Sequence, residues 1–414
     1  MRKSTLVLIA AVGLVAVISA FSVGVLSGLA VADPKVDVFA AITPQPELQR
    51  DIEGRFDIFW EAWEQLQNNY YKGPLDPRDL VEGATRGMVR ASGDDYTEWV
   101  DATGARMSRE RLEGEFEGIG ANVDLNDDGV IRIVRPLPES PAEEAGLQRN
   151  DLVIAVDGVP TKGKSLEAVV RTVRGPAGTT VVLTIQRENE TRTRDVTVTR
   201  RKIEVPSVIA KTVDEFGYVR LTNFGVKTTD EFRESLHNFT SQGAEGLILD
   251  LRNNPGGLLV TAVDVASEFF PQGTLIATQR SRTEGDIAFN SSGGGSVVDL
   301  PLVVLINNGS ASASEIVAGA IKDHGRGQLL GQTTFGKGSV QVPFDLSDKS
   351  VVRVTVAIWE TPGGAHLAGE GIEPDFEIEV EPDYELGQEG DPYIDAAKRV
   401  LRGQDCCEGL ELAA

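Results

Sequence analysis

Two uninterrupted apolar segments constrain the fold of this chain more than any other feature of its sequence. Residues 246–251 (GLILDL) and 302–306 (LVVLI) lack the alternation of apolar and polar side chains that marks a strand with one face in water. Each segment is followed by a turn rich in asparagine and glycine, and then by a helical pattern that extends to Phe270 or to His324. Buried strands that alternate with helices predict an α/β domain whose sheet is covered on both faces.

The net charge and the cysteine content exclude several functional classes. The chain has 414 residues, with 40 lysine and arginine against 63 aspartate and glutamate side chains, so its net charge is −23. Such an acidic chain argues against a phosphate-binding surface for nucleic acid. Its two cysteines, Cys406 and Cys407, are adjacent, which excludes a disulfide framework, and three histidines argue against a multi-histidine metal site. We therefore expect neither a nucleic-acid partner nor a metal or other cofactor.

The N-terminus carries a long segment without charge. Arg2 and Lys3 precede residues 4–32, which contain no charged side chain. As a helix rising about 1.5 Å per residue, this segment would reach roughly 40 Å, more than the roughly 30 Å of a bilayer core. It predicts a membrane anchor with the basic flank in the cytoplasm and the rest of the protein outside, in the periplasm or beyond the cell. The small residues 30–32 leave a cleaved signal peptide and a secreted protein as the alternative.

Patterns along the remaining chain predict several domains. Phe59, Trp60, Trp63, Leu66 and Tyr70 recur at helical spacing, and we interpret them as a core-facing stripe. Short alternating strands then give way to the longer buried strands of the α/β region. The predicted organisation is a membrane anchor or signal (1–33), a linker (34–55), a helical region (56–106), a mainly-β domain (107–202), an α/β core (203–383) and an acidic, partly helical tail (384–414).

One serine and one lysine are candidates for catalysis. Ser312 lies where the second buried strand turns into a helix, the place where open α/β sheets present reactive groups. Lys337 stands between two glycines and could accept a proton from a serine if burial, for example beside Phe335, kept it neutral. Each residue also has a structural explanation. Ser312 and Glu315 have capping-box spacing, and Lys337 fits a solvated loop.

A third candidate follows the first buried strand. Residues 253–257 (NNPGG) form a turn whose backbone N–H groups could hold a developing oxyanion. A plain strand-to-helix turn explains the same residues. Spacing alone therefore does not decide any of the three elements.

Several motifs together resemble one family. Residues 307–341 (NNGSASASE…FGKGSVQ) are similar to the signature of the carboxy-terminal processing peptidases, or tail-specific proteases, and LILDLRNNPGG is similar to their oxyanion-loop motif. SPAEEAGLQRNDLVIAVDG and VRGPAGTTVVLTIQR resemble their PDZ domain. The resemblance runs from Phe56 to Asp375. It implies a Clp protease/crotonase-like α/β core with an inserted, mainly-β PDZ domain and a helical N-terminal region.

The resemblance implies specific roles for the catalytic candidates. It implies that the chain is a serine endopeptidase that recognises free apolar C-terminal tails of protein or peptide substrates. Contact between Lys337 and Gln341 needs a bend in the chain, because on a straight strand these two residues would lie about 13 Å apart. The implied roles are nucleophile for Ser312, general base for Lys337, assistance to the lysine for Gln341, and backbone oxyanion donors at Gly256, Gly257 and Ala313.

The PDZ resemblance implies a peptide-binding groove. Gly118, Ile119, Gly120 and Ala121 match the loop whose backbone N–H groups hold a terminal carboxylate. Arg174 matches a position that couples the PDZ domain to the active site in some relatives. A glycine turn and a helix-end arginine are the structural explanations of the same residues.

Two other functions compete with a serine–lysine peptidase. One is a PDZ scaffold whose peptidase domain is inactive, which the presence of both Ser312 and Lys337 argues against. The other is a Ser–His–acid hydrolase that uses His324, although His324 lies at the far end of the helix that follows Ser312. The sequence leaves the substrate and any homo-oligomer open.

Overall fold

The computed structural model describes residues 46–126, 128–187, 190–283, 285–378 and 384–406. The predicted anchor, most of the predicted linker, Cys407 and the end of the predicted tail lie outside the described residues. Among the described residues, no helix combines the length and the apolar character needed to span a bilayer. The chain divides into two compact units between Ala84 and Thr85.

The first unit contains helix α1 (Pro46–Asn69), which begins inside the predicted linker, and most of helix α2 (Pro77–Arg90). The prediction that the aromatic stripe of α1 forms a core is wrong. Trp60 is 57% exposed and Leu66 is 45% exposed. Aromatic rings pack on one another along the helix instead, with 5.0 Å between the centroids of Phe59 and Trp60. Two helices offer too little surface to bury the whole stripe.

The N-terminal half of the second unit contains the predicted PDZ domain. Its main sheet has the order β3-β4-β5-β7-β8, with β6 paired to β5, while β2 pairs with β9. Ser140 and Ser165 cap the two short helices: the Oγ of Ser140 accepts the N–H of Glu143, and the Oγ of Ser165 accepts the N–H of Ala168, each at 3.3 Å. The elements are β1 (Glu98–Val100), α3 (Ala102–Glu113), β2 (Glu115–Gly118), β3 (Ala121–Leu125), β4 (Ile131–Pro136), α4 (Pro141–Glu144), β5 (Leu152–Val156), β6 (Val159–Pro160), α5 (Leu166–Val173), β7 (Thr180–Gln186), β8 (Thr193–Thr199) and β9 (Arg201–Glu204).

The C-terminal half of the second unit contains two further sheets. One has the order β10-β11-β12-β15-β16-β19 and is parallel from β11 onward; the other has the order β1-β18-β13-β14, with β17 paired to β18, and is antiparallel. The elements are β10 (Val208–Val213), β11 (Phe216–Leu221), α6 (Thr228–Ser241), β12 (Gly246–Asp250), α7 (Leu259–Ser267), β13 (Leu275–Ser281), β14 (Gly285–Asn290), β15 (Leu302–Ile306), α8 (Ala313–Asp323), β16 (Gln328–Gly331), β17 (Ser339–Asp345), β18 (Val351–Glu360), β19 (Phe376–Glu377) and α9 (Pro392–Leu401).

The parallel sheet is covered on both faces, as its apolar strands predict. Every residue of β12 and β15 is buried. Because side chains alternate along a strand, Leu249 and Val304 pack in one cluster with helices α6, α7 and α8, whereas Ile248 and Val303 pack with α9 on the opposite face. The helix predicted in the C-terminal tail is therefore part of the core.

A buried ionic cluster joins α9 to the end of β12. Arg252 Nη2 lies 2.6 Å from Asp250 Oδ2 and 2.7 Å from Asp391 Oδ2, and all three side chains are buried. Asp391 also caps α9 by accepting the N–H of Tyr393 at 3.1 Å, and Tyr218 donates to Asp250 at 2.7 Å. The chain that leaves this cluster continues directly into the NNPGG turn.

Replacing Asp391 by alanine should therefore destabilise the fold. The change removes charge-assisted hydrogen bonds to buried Arg252 and the cap of α9, which together are worth about 2–4 kcal/mol. We expect the urea midpoint to fall accordingly. Asp395→Ala is the matched control in the same helix, because Asp395 is exposed and its carboxylate pairs with Lys398 of the same helix. Equal midpoints for the two variants would contradict a stabilising role of the cluster.

Candidate active site

Ser312 lies directly before α8 in a strained backbone conformation. Its φ is 56° and its ψ is −112°, outside the regions that L-residues readily adopt. Strain of this kind persists only where the surroundings enforce it, and it is concentrated at functional sites. Here the Glu315 carboxylate accepts the Ser312 N–H at 2.6 Å, the return contact of the predicted capping box. The strand-to-helix turn thus presents the serine at the end of a buried strand.

The same carboxylate oxygen also binds the backbone of the candidate lysine. Lys337 N–H donates to Glu315 Oε2 at 3.0 Å, and Ser312 N–H donates to that oxygen as well. The two segments are 25 positions apart in sequence, yet one oxygen atom holds both backbones. Ser312 and Lys337 therefore belong to one site.

A cleft of about 580 Å³ contains these residues. Helix α3 forms one wall of it, contributing Arg109, Arg111 and Leu112 among others. No motif in the sequence indicated α3, because its pattern is that of an ordinary polar helix. All six residues predicted to serve catalysis line the cleft: Ser312, Lys337, Gln341, Gly256, Gly257 and Ala313.

The environment of Lys337 favours its neutral form. Partial burial is the main cause that lowers the pKa of Lys337, and the positive charge of Arg353 lowers it further, while Glu98 and Glu315 act in the opposite direction. The expected burial beside Phe335 is wrong, because Phe335 is 55% exposed. An aromatic neighbour is present nonetheless: Lys337 Nζ lies 5.5 Å from the centroid of the Tyr96 ring.

Gln341 makes hydrogen bonds away from the lysine. Its amide donates to Ser339 Oγ at 2.8 Å and to Thr355 Oγ1 at 3.3 Å, next to a bulge between Val340 and Gln341. Within the described chain, no hydrogen bond joins Gln341 to Lys337, and none joins Ser312 Oγ to Lys337 Nζ. The glycines and the bulge bring the three side chains into one cleft without closing these contacts.

The predicted oxyanion donors differ in availability. Gly256 N–H donates to Asn254 Oδ1 at 2.9 Å, so the prediction that Gly256 is a donor does not fit this structure. For Gly257 and Ala313, the N–H groups have no acceptor among the residues that the structure describes. A Cβ at Gly256 would lie 2.8 Å from Ser312 Cβ, and one at Gly257 would lie 2.2 Å from a backbone oxygen of Phe224. Glycine is thus needed at position 256 for the loop to approach Ser312, and at position 257 for it to lie against the backbone of Phe224.

His324 lies at the other end of α8. Its Nε2 is 2.7 Å from the backbone oxygen of Leu275, and its ring packs on Phe270 with 5.2 Å between centroids. The 11 residues of α8 separate His324 from Ser312, a distance of roughly 16 Å along the axis. The arrangement does not support a Ser–His–acid site.

A second cavity, of about 330 Å³, lies between α5 and the start of β3. Ile119, Gly120 and Ala121 line it, whereas Gly118 lies in β2 opposite Arg201. Among the described residues, the N–H groups of Ile119 and Gly120 find no acceptor, which leaves them free for a ligand. Gly120 has a φ of 74°, and a Cβ there would lie 2.5 Å from Ser140 Cβ, so the turn requires glycine.

Arg174 connects the PDZ cavity to helix α3 through an ion pair. It lines the PDZ cavity, stacks over Phe116 at 4.5 Å, and donates to Glu110 at 2.8 Å. Glu110 belongs to α3, the helix that also forms a wall of the catalytic cleft. The position of Arg174 is therefore consistent with a connection between the two cavities.

Comparison with known protein families identifies both domains. A model described as peptidase family S41 matches residues 215–378, and a PDZ domain model matches residues 132–187. The chain is 37% identical to a carboxyl-terminal-processing protease of Picosynechococcus sp., over 82% of this chain and 84% of that protein. It is 36% identical to the carboxy-terminal processing protease CtpA of Bacillus subtilis, over 85% of this chain and 74% of that protein.

Solved structures resemble the chain as well. A protein from Bacteroides fragilis assigned to the S41 proteases has a TM-score of 0.54 and 19% identity, over 83% of this chain and 97% of that one, which shows a shared fold. The photosystem II D1 C-terminal processing protease has a TM-score of 0.48 and 31% identity, over 78% of this chain and 92% of that one. By its relatives and its two matched domains, this chain belongs to the carboxy-terminal processing proteases of peptidase family S41 and is a serine-type hydrolase with a PDZ domain.

Proposed function

We propose that the protein is an endopeptidase in which Ser312 is the nucleophile and Lys337 is the general base. The observation that carries this proposal is the pair of N–H bonds from Ser312 and Lys337 to one oxygen of Glu315. The lowered pKa of Lys337 supports it, because only a neutral amine accepts a proton. The absence of a direct Ser312–Lys337 bond is compatible with it, since catalytic hydrogen bonds are often long before substrate binds.

The proposed reaction has two stages. Lys337 takes the Ser312 hydroxyl proton as Oγ attacks the scissile carbonyl, and the N–H groups of Gly257 and Ala313 bind the oxyanion. The C–N bond then breaks, and the leaving amine takes the proton from Lys337. A water molecule, deprotonated by Lys337, then attacks the acyl-enzyme; the ester bond to Ser312 Oγ breaks, and Lys337 returns the proton to that oxygen. Gln341 assists by orienting Lys337, after its amide leaves Ser339.

Trapping the acyl-enzyme tests this assignment. Mixing the protein with an activated ester, quenching in acid and mapping the adduct by mass spectrometry should locate the acyl group on Ser312. Lys337→Met should suppress the adduct, because it keeps an unbranched side chain of nearly the same length and removes the amine. An adduct on another side chain would contradict the proposal.

We also propose that the PDZ domain binds free apolar C-terminal tails. The cavity has free N–H groups at Ile119 and Gly120 and apolar walls from Val169 and Val173. Paired N–H groups suit a carboxylate, and the walls suit an apolar last side chain. In this proposal, Arg174 and its ion pair with Glu110 couple the binding of a tail in the PDZ cavity to the catalytic cleft.

A substrate with a free apolar C-terminus should be cut faster than the same substrate with an amidated tail. Loss of the carboxylate removes charge-assisted hydrogen bonds of about 1.5–3 kcal/mol, so the rate at sub-saturating substrate should fall roughly ten-fold or more. Val173→Asp, which puts an acid on an apolar wall, should remove the difference between the two substrates. Equal cleavage rates for the free and the amidated tail in the unaltered protein would contradict this proposal.

We propose further that residues 4–32 anchor the protein in a membrane, with the catalytic part in the periplasm or outside the cell. The uncharged segment behind two basic residues supports this location. The protein should stay with membranes after carbonate washing, and protease added to spheroplasts should reach the PDZ domain. Recovery in the cytoplasmic fraction would contradict it. A Clp protease/crotonase-like core stays a prediction from the family resemblance.

A further inference from the structure

Glu315 is a fully buried carboxylate that accepts four hydrogen bonds and donates none. Its Oε2 accepts the N–H groups of Ser312 at 2.6 Å and Lys337 at 3.0 Å. Its Oε1 accepts the N–H of Gly336 at 2.6 Å and the hydroxyl of Thr334 at 2.7 Å. Because every partner is a donor, the group acts as an ionised carboxylate does, with acceptor sites alone.

We propose that Glu315 is a positioning residue for peptide hydrolysis, holding the backbones of Ser312 and Lys337 together so that the hydroxyl and the amine meet. The proposal rests on the Ser312/Lys337 dyad proposed above. It adds a residue that touches neither substrate nor the reacting atoms and acts through both members of the dyad.

The backbone on either side of Glu315 needs such support. Ser312 is held at a φ of 56°, and Gly336 has a φ of 86°. Residues 333–338 form neither helix nor strand, so no regular ladder fixes the lysine loop. The four bonds to Glu315 span this loop and the start of α8. Without them the loop would gain freedom, and the distance between hydroxyl and amine would no longer be set.

The charge of Glu315 has a second, measurable consequence for Lys337. It raises the pKa of the lysine, against the lowering by burial and by Arg353, while Glu98 raises it too. Removing the carboxylate charge should therefore lower that pKa further. Among the described residues, the other charged side chains that line the same cleft are Arg109 and Arg111 of α3 and Asp345 of β17, and the Lys337 amine lies over the Tyr96 ring before β1. Arg109 is paired to Asp345, and Arg353 is paired to Glu98.

Glu315→Gln in the full-length protein separates positioning from a general loss of structure. The amide keeps the volume but turns an NH₂ group toward N–H donors, so kcat should fall at least ten-fold with KM changed less than two-fold. The acid limb of the pH–kcat profile should move to lower pH. Glu268→Gln is the matched control, because Glu268 is a buried carboxylate bonded to Arg233 and Ser296, away from the cleft. It should leave kcat and the limb unchanged.

Thr334→Val covers the case in which Glu315→Gln does not fold or is too slow for a profile. It removes the hydrogen bond to Glu315, together with the one that Thr334 Oγ1 accepts from the N–H of Ile372, and it keeps the charge of Glu315, so kcat should fall about three-fold or more with the limb in place. Thr334→Ser should restore kcat.

Wild-type kcat in Glu315→Gln, a lower kcat with an unmoved limb in that same variant, or wild-type kcat in Thr334→Val would each overturn the proposal. Activity that survives Ser312→Ala or Lys337→Ala would instead overturn the dyad, so the two failures are distinct.

Discussion

Replacing Ser312 by alanine should lower the rate of proteolysis by about 10⁴-fold or more, as loss of a nucleophile from a catalytic unit does. Lys337→Ala should have an effect of the same order, because without a base the hydroxyl is a weak nucleophile. The double variant should be no slower than either single one, since the two groups act as a unit. The measurement is cleavage of an unstructured, apolar-tailed protein, followed by gel and by mass spectrometry.

His324→Ala is the control for this prediction. It breaks a hydrogen bond to Leu275 at the far end of α8 and should cost about 1 kcal/mol of stability while sparing most of the activity. Circular dichroism of all variants should match the unaltered protein. A His324→Ala variant as slow as Ser312→Ala, with normal circular dichroism, would show that the dyad assignment is wrong.

Strands and helices around the site follow from local sequence. The runs GLILDL and LVVLI form fully buried parallel strands, because neither run alternates apolar with polar side chains and so neither strand has a face suited to solvent. Helix α8 starts directly after Ser312, where the capping-box spacing places it. The resemblance to the family indicated which residues line the cleft, and all six catalytic candidates lie there.

Contacts between distant segments could not be predicted in the same way. The side-chain oxygen of Asn254 accepts the N–H of Gly256 and so competes with an oxyanion for that donor, which a motif cannot reveal. Phe335 is exposed, and the charges that act on Lys337 include Glu98 of β1 and Arg353 of β18, which are distant from it in sequence. The aromatic stripe of α1 has the spacing of a core helix, but burial needs a partner surface, which periodicity does not encode.

The role of Glu315 shows how one residue can satisfy both explanations of a pattern. Capping-box spacing explained Ser312 and Glu315 structurally, and the return bond of the box, from the Ser312 N–H to the Glu315 carboxylate, is present. The Glu315 carboxylate nevertheless also binds the lysine loop, because its remaining lone pairs accept hydrogen bonds from the N–H groups of Gly336 and Lys337 and from the hydroxyl of Thr334. A structural cap and the assembly of a site are here the same set of hydrogen bonds.

Activity on a small substrate should rise with pH through the pKa of Lys337 and then hold at mildly alkaline pH. Burial is the main cause that lowers this pKa below the ordinary lysine value, with Arg353 adding to it. Arg353→Met should therefore move the limb to higher pH, because a positive neighbour that disfavours the charged lysine is removed. A histidine base would give a limb near its own pKa of about 6.5. Full activity already at pH 6, where chemistry limits the rate, would exclude Lys337 as the base.

The same lowered pKa should make stability depend on pH in a defined window. In the unfolded chain Lys337 titrates near 10.4, so between the folded-state pKa and that value the unfolded state binds a proton that the folded state does not. Stability therefore rises with pH across this window, and it is lost as pH falls from the unfolded value to the folded one. Below the folded-state pKa both states are charged, and this contribution changes no further. Lys337→Met should be inactive, and a plot of its urea midpoint against pH should be flatter in this window. Lys322→Met, at the surface of α8, is the control and should leave the plot unchanged. Parallel curves for Lys337→Met and the unaltered protein would show that the lysine is not desolvated in the folded state.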